Sequence, residues 1–549
     1  MSLPISQIKF MVWMRLTLQL MWPLVIFKKE NEMKKKICLF SALLFLLANV
    51  WLWNVDTWSE GIEKAAEITE AVRGNYYKQV NSEELIYESI KGMLPTLDPH
   101  SYFLSSERLS NLKEDYKGKY YGLGIMIQKH GDRLMVISPL EGTPAYRLGI
   151  QPGDIISHIE GESTKPISSY EAMLKLRGEK GTQVNITIIR EGLEEPLQFT
   201  IVREEIPLHS VPYDFMLNKE TGYIYIRNFS TTTTQEFEQK MENLLQKGMK
   251  NLVLDFRDNS GGTFVQSLEI SDEFLQEGET IVSIKGRKKQ YNKLFIATKA
   301  DQFEDIPVVV LINRGSASAP EIVAGALQDN DRTLIVGETS FGKGLVQTIF
   351  PVSNEAALAL TTARYYTPSG RSIQRDYSNL EDWILRREVS PKEREVTYTN
   401  KGRKVLGQGG ISPDYEASLS FKRLTYILLS RGTFFAYARK FAEKETELSK
   451  KYRLPSEEKP GDSATKEISK DLVIDSEYLQ DFKRYLDSIE FSYDEDDFAE
   501  AEAEIKREIK RELVSFIWSI EDGMKAYRLE DPVVQKAVGL MDQAKKMIS

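Results

Sequence analysis

The chain predicts a multidomain α+β protein with N-terminal helices, a small β domain, a layered α/β core and a C-terminal helical extension. Its 549 residues exceed what one hydrophobic core organises, which sets a prior of three or four domains. The apolar period also changes along the chain: helical at first, strand-like from about residue 118, alternating strand and helix after about 206, helical again beyond 420. A hydrophobic share of 41% and a charged share of 28% fit a folded, soluble body. The resulting segments are 1–54, 55–117, 118–205, 206–420 and 421–549.

The first segment reads as a signal or anchor. Met33 and Lys34–Lys36 precede an uncharged, mostly apolar run from Ile37 to Trp53. A basic start and an apolar stretch are an export signal or a membrane anchor, so the expected location is the cell envelope, periplasmic, exported or anchored. No clear small-x-small cleavage site follows, which leaves both forms open. Phe10–Phe27 is also apolar but is interrupted by Arg15 and Gln19. Residues 1–32 therefore read as an upstream extension, with translation starting at Met33, in preference to a first membrane segment. Cys38, the single cysteine, excludes an intramolecular disulfide and a multi-cysteine zinc site. A net charge of −9 gives no reason to expect nucleic-acid binding.

From Asp56 to Lys117 the pattern is helical, with Ile62, Ile68 and Val72 in one segment and Leu85, Ile90 and Leu94 in the next. Leu97-Asp-Pro-His-Ser101 interrupts it as a turn. Strand-like runs then alternate with Gly/Pro turns at Gly124–Gln128, Leu134–Ser138, Ile155–Ile159 and Val184–Ile189. In the core, the strand candidates are Tyr223–Ile226, Leu252–Phe256, Val308–Ile312, Leu334–Val336 and Leu358–Tyr365. Phe237, Met241, Leu244 and Leu245 mark one face of a helix between the first two. Asp376–Gly407 is a polar insertion and Pro455–Ser463 a linker. Ile505, Ile509, Leu513 and Ile517 form an i, i+4 packing stripe, and Asp494–Asp497 reads as a solvated acidic turn.

The chemistry concentrates in two segments. Val308–Asn313 is a buried-strand pattern and Pro320–Gln328 a helix with Pro in its first turn, so Ser318 falls on a strand-to-helix turn beside helix N–H groups. A serine needs a base, and a lysine serves when burial brings its pKa down from about 10.4. Lys343, between Gly342 and Gly344, is the candidate base. Gln347 can hold the amine without adding charge. The oxyanion would meet the Ala319 N–H and a glycine N–H of Gly261-Gly262, at the end of Leu252-Val-Leu-Asp-Phe-Arg-Asp-Asn-Ser-Gly-Gly262. Asp255 and Arg257 read as a structural ion pair. The pairing of Ser318 with Lys343 points to peptide hydrolysis.

Competing readings are weaker. Ser316 or Ser318 is also a plausible helix cap. Gly337-x-x-x-x-Gly342-Lys343 starts like a phosphate loop, but Gly344 stands where Ser or Thr would bind magnesium, and a strand pattern follows. The histidines, His100, His130, His158 and His209, all precede the α/β core, and no His-Glu-x-x-His or Cys/His cluster offers a metal site. No metal or cofactor is expected.

Residues 118–205 resemble a PDZ domain of the bacterial protease type, through Tyr121-Gly-Leu-Gly124 and Pro144-Ala-Tyr-Arg-Leu-Gly-Ile-Gln-Pro-Gly-Asp154. The glycines let successive N–H groups turn toward one carboxylate, so Tyr121, Gly122, Leu123 and Gly124 are the candidate loop for a peptide C-terminus. From Ile68 to Asp414 the chain resembles the carboxyl-terminal processing peptidases, or tail-specific proteases. Besides the segments above, the likeness includes Thr361–Gln374 and Gly409–Asp414. It implies Ser318 as nucleophile, Lys343 as base and Gln347 as orienter. It also implies capture of protein or peptide substrates by their apolar C-termini. Pro320 stands where many members carry a further serine. A catalytically silent PDZ scaffold that binds C-terminal tails is the rival of another class. Membrane association rests on the N-terminal segment, and the C-terminal helices are candidates for homo-oligomerisation.

Overall fold

The computed structural model describes residues 61–140, 142–191, 193–298, 303–352, 356–378, 394–454 and 466–548. The expected signal or anchor region, the linker at Pro455–Ser463 and residues 379–393 of the insertion lie outside the described residues. The chain forms two compact units, residues 1–93 and 94–549. In the first, helices α1 (61–75) and α2 (Ser82–Met93) follow the helical period of the sequence. Among the described residues, no helix is long and apolar enough to cross a membrane.

The second unit starts with the turn at Leu97–Ser101 and a strand, β1 (Tyr102–Leu104), followed by helix α3 (Ser106–Lys117). The strand departs from the all-helical reading of 55–117. Three residues are too few to show a period, and the partner that stabilises them, Ala357 to Ala359, lies far along the chain.

The small β domain is enclosed by β2 (Lys119–Gly122), which pairs with β9 (Glu204–Pro207). Between them run β3 (Ile125–His130), β4 (Arg133–Pro139), α4 (Pro144–Arg147), β5 (Ile155–Ile159), β6 (Glu162–Ser163), α5 (Ser169–Leu176), β7 (Gln183–Ile189) and β8 (Leu197–Val202). The sheet order is β3-β4-β5-β7-β8, with β6 on β5. Val184, Ile186 and Ile188 alternate into its core, as the period of two requires. Asp154 is buried and takes two hydrogen bonds of 2.8 Å from the Arg190 guanidinium. The Gly-Asp of the motif is thereby a structural clip.

The core is a six-stranded sheet ordered β10-β11-β12-β15-β16-β21. Its strands are β10 (Tyr213–Met216), β11 (Thr221–Tyr225), β12 (Asn251–Asp255), β15 (Val308–Ile312), β16 (Leu334–Gly337) and β21 (Tyr415–Glu416). All are parallel except β10 on β11. Helices α6 (Thr233–Gln246), α7 (Phe264–Asp272) and α8 (Ala319–Asp329) line one face. Their apolar side chains join Leu254, Val310 and Ile312 in the main cluster. A second sheet holds β1, β13 (Thr280–Gly286), β14 (Lys293–Ile296), β17 (Leu345–Pro351) and β18 (Ala357–Tyr366). The described end of the insertion is a hairpin, β19 (Val396–Tyr398) and β20 (Lys404–Leu406).

Residues beyond 420 divide into two structures. Helices α9 (Arg423–Ser430), α10 (Thr433–Ala442), α11 (Ser476–Ser488) and α12 (Glu495–Ile517) share an apolar cluster. There Ile505, Ile509 and Leu513 are fully buried, so the stripe is a packing face. Asp494 to Asp497 is the start of α12 and not a free turn. Asp494 caps it through the Asp496 N–H (2.8 Å), and the next three acidic residues complement the helix dipole. After α13 (Ile520–Leu529), α14 (Pro532–Gly539) and α15 (Met541–Ile548) cover the other face of the core sheet. Val533, Val534 and Ala537 pack there with Val253, Val309 and Leu311. The α/β core therefore has its third layer from the end of the chain.

Candidate active site

Ser318 stands between β15 and α8 with φ 66° and ψ −108°. A non-glycine residue at positive φ costs on the order of 1–3 kcal/mol and persists only where its surroundings impose it. They do so here. Ser316 Oγ donates to the Phe256 carbonyl (2.8 Å) and accepts the Asn313 N–H (3.0 Å). The Ala317 N–H reaches the Asn259 carbonyl (2.9 Å). Ala317 and Ala319 are buried, while Ser318 between them is half-buried. A strained strand-to-helix turn of this kind is how a fold presents a nucleophile.

Glu321, one turn into α8, is fully buried and was not singled out from the sequence. Its Oε2 accepts the Ser318 N–H (2.7 Å) and the Lys343 N–H (3.0 Å). Its Oε1 accepts the Gly342 N–H (2.7 Å) and Ser340 Oγ–H (2.5 Å). One carboxylate thus joins the two segments by their backbones. Burial raises its pKa against the pull of those donors. The signal was present as Ser318-x-x-Glu321, the spacing of a capping box. Capping leaves the Ser318 hydroxyl uncommitted, because the Glu321 N–H is taken by the Ser318 carbonyl (2.9 Å).

Lys343 is half-buried, and desolvation lowers its pKa from 10.5 against the fields of Glu321 and Asp98. The Tyr365 hydroxyl donates to its carbonyl (2.6 Å) and lies 3.4 Å from the Ser318 carbonyl. The segment after Lys343 is strand β17, so the helix that a phosphate loop needs is not there. Gln347, on β17, donates from Nε2 to Thr361 Oγ1 (3.3 Å). Among the described hydrogen bonds none joins it to Lys343, nor Lys343 Nζ to Ser318 Oγ.

Gly261 lies against Ser318: a Cβ there would be 2.9 Å from the Ala317 carbonyl oxygen and 3.0 Å from Ser318 Cβ. Its φ of 108°, and 144° at Gly262, require glycine. The Gly261 N–H is committed to Asn259 Oδ1 (2.9 Å), whereas none of the described hydrogen bonds takes the Gly262 N–H. Ala319, as first residue of α8, has an N–H without an intrahelical acceptor. Asp255 and Arg257 form the expected buried pair (2.6 Å).

Between the β domain and the core, a cavity of about 900 Å³ is lined by Gly122, Leu123 and Gly124 of the expected loop, with Met173 and Leu176, and from the other side by Tyr213, Arg227 and Ile520. Tyr121 is not among its lining residues, but Tyr120 is. Neighbouring strand residues face opposite sides, and the motif alone does not fix which tyrosine turns inward.

Residues 220–379 match the model of peptidase family S41, and residues 135–190 match that of the PDZ domain. The carboxy-terminal-processing protease of Bartonella bacilliformis is 39% identical over 353 residues, covering 62% of this chain and 81% of the relative. The chain belongs to the carboxy-terminal processing proteases. The relative named CtpA in Bacillus subtilis is 31% identical, covering 64% of this chain and 72% of its own. Among solved structures, the photosystem II D1 C-terminal processing protease is 28% identical, with a TM-score of 0.34, covering 64% of this chain and 85% of that one.

This carboxy-terminal processing protease is a serine-type peptidase with a PDZ domain ahead of its peptidase core. It also brings to Lys343 a group that chain order hides. His100 follows Asp98 in the turn before β1, and β1 pairs with β18, the neighbour of β17. Burial, then the Lys343 charge, lower the His100 pKa to about 4, against Asp98. Chain order leaves the position of a histidine in space open, and the pairing of β1 with β18 brings His100 within the field of Lys343. His158 pairs with Ser157 in the PDZ domain (3.1 Å), and His209 faces Glu236 (3.8 Å).

Proposed function

We propose that this protease hydrolyses peptide bonds with a Ser318–Lys343 dyad, on substrates whose free apolar C-terminus is held by the PDZ groove. Ser318 Oγ attacks the scissile carbonyl carbon, and Lys343 Nζ takes the hydroxyl proton. The tetrahedral oxyanion lies between the N–H groups of Ala319 and Gly262. The intermediate collapses, Lys343 returns the proton to the leaving amine, and an acyl-enzyme remains on Ser318. Water, deprotonated by Lys343, then releases the new C-terminus. The observation that carries this reading is the shared Glu321 carboxylate. It ties the strained serine to a lysine whose pKa burial has lowered.

The groove favours apolar termini because Leu123, Ile125 and Met173 line it beside the glycine loop. The envelope location rests on Met33 to Lys36 and the apolar run after them, and cell fractionation tests it. Oligomerisation through the C-terminal helices is tested by the mass of the protein in solution.

The deciding experiment incubates an unfolded protein with an apolar C-terminus with the parent protein, Ser318→Ala and Lys343→Ala. The expected outcome is cleavage by the parent and a loss of at least about 10³-fold in both variants. Equal cleavage by all three removes the dyad. Tail binding without cleavage in any of them supports the scaffold reading.

A further inference from the structure

We propose that Asp98 is a positioning residue for the base, acting through Thr361 to hold Gln347 in register with Lys343. The proposal rests on the Ser318–Lys343 reading. Asp98 is 7% exposed and anchors its own turn, with Oδ1 accepting the N–H groups of His100 (2.7 Å) and Ser101 (2.8 Å) and Oδ2 accepting Ser101 Oγ–H (2.7 Å). The same Oδ1 accepts Thr361 Oγ1–H (3.2 Å), whose oxygen accepts Gln347 Nε2–H (3.3 Å). Ser101 Oγ also takes the Thr361 N–H (3.1 Å), which clips the turn to β18 a second time.

Gln347 and Thr361 are cross-strand partners in the β17–β18 ladder, and the register of that ladder shifts between Val346 and Gln347. Such an irregularity beside an active site re-aims a side chain. Once Nε2 is held on the Thr361 side, Oε1 is the end of the amide left to accept from the lysine amine. Asp98 also acts on Lys343 by charge. The charged or titratable groups around that amine are Asp98 and His100 from the turn, Glu321 from α8 and Tyr365 from β18.

Charge and positioning separate by mutation. Asp98→Asn keeps the shape, removes the negative charge and weakens the hold on Thr361. Thr361→Val keeps the charge and cuts the chain of hydrogen bonds. The full-length protein is assayed from pH 5 to 10 with both variants, beside Ser318→Ala and Lys343→Ala. Both test variants should lower kcat about 10- to 100-fold with KM little changed, as expected when a reacting group loses its alignment. In Asp98→Asn the acid limb of kcat/KM should also move down by about one pH unit, since loss of a nearby carboxylate favours the neutral amine. In Thr361→Val it should stay.

His100, at about 4, is neutral across this range. Burial raises the Glu321 carboxyl, on which its own donors and not Asp98 act, so a limb that moves in Asp98→Asn reports Lys343. A kcat in both variants that tracks only the folded fraction, with no limb shift in Asp98→Asn, overturns the inference. Inactive Ser318→Ala and Lys343→Ala beside unimpaired Asp98→Asn and Thr361→Val would overturn it alone. Activity in Ser318→Ala would overturn the dyad beneath it.

Discussion

Two fully buried carboxylates, Glu321 and Asp255, meet different partners. Burial alone pushes the Asp255 carboxyl up, but Arg257, Arg528 and the hydrogen bonds from Arg257 outweigh it and hold the group below 3.8. Tyr223 also donates to it (2.7 Å), and Arg257 goes on to Asp531 (2.8 Å), which takes Arg528 as well (2.9 Å). In the hydrogen bonds described, Glu321 accepts only uncharged donors, three backbone N–H groups and one hydroxyl, and its pKa rises. The first carboxylate is neutralised and builds the fold. The second orders the Ser318 and Lys343 segments without a cation among its described donors and leaves its field to act on Lys343. A guanidinium at Glu321 would cancel that field.

Glu321→Gln is the sharpest way to break this contrast. An amide NH2 cannot accept, so two of the four donors face it unpaired, at about 1–3 kcal/mol each. We expect kcat/KM to fall more than about 100-fold and the melting temperature to fall with it. Activity near that of the parent would mean that the two segments hold each other by packing alone.

Asp531→Ala should act the other way, on stability before chemistry. It leaves Arg257 and Arg528 short of a buried partner and removes the cap of α14, where Asp531 accepts the Val533 N–H (2.9 Å). Breaking such a pair costs about 3–5 kcal/mol. Hydrogen exchange should speed up over 532–548, while turnover per folded molecule stays within about threefold of the parent.

The two groups also predict opposite pH slopes. The folded pKa of Asp255 is depressed, so its contribution is present above the ordinary value of 3.8 and lost as pH falls through the folded value. That of Glu321 is raised, so stability falls as pH climbs from 4.5 to the folded value. Denaturation midpoints between pH 3 and 7 should show a shallower acid loss in Asp255→Asn than in the parent. The smallest expected effect is that of Tyr365→Phe. It removes one hydrogen bond to the Lys343 carbonyl, worth about 1 kcal/mol, and should lower kcat several-fold.

The sequence made legible whatever is local. Ser318 and Lys343 lie in short segments whose glycines and flanking elements read directly, and the strands at Val308–Ile312 and Ile155–Ile159 have the expected bounds. The Asp98–Thr361 contact could not be read, because 263 positions separate the two residues and only the pairing of β1 with β18 joins them. Glu321 was hidden by an ordinary role, since acidic residues are common in a first helical turn. Tyr120 and Tyr121 are adjacent in the motif, and the phase of the strand, which a one-residue change reverses, decides which of them lines the cavity. The second function of the C-terminal helices was hidden because an apolar stripe states that a face is buried, but not against what.

That last layer has a consequence for when the protein can work. Helices α14 and α15 are the final described elements, and they cover strands made hundreds of residues earlier. While the chain is still being synthesised, the outer face of the central sheet lies open. Asp531, the second carboxylate that pairs with Arg257, has not yet been added. Folding of the core that carries Ser318 therefore finishes only after α14 and α15 arrive, which sets a delay between synthesis of the central sheet and completion of its packing.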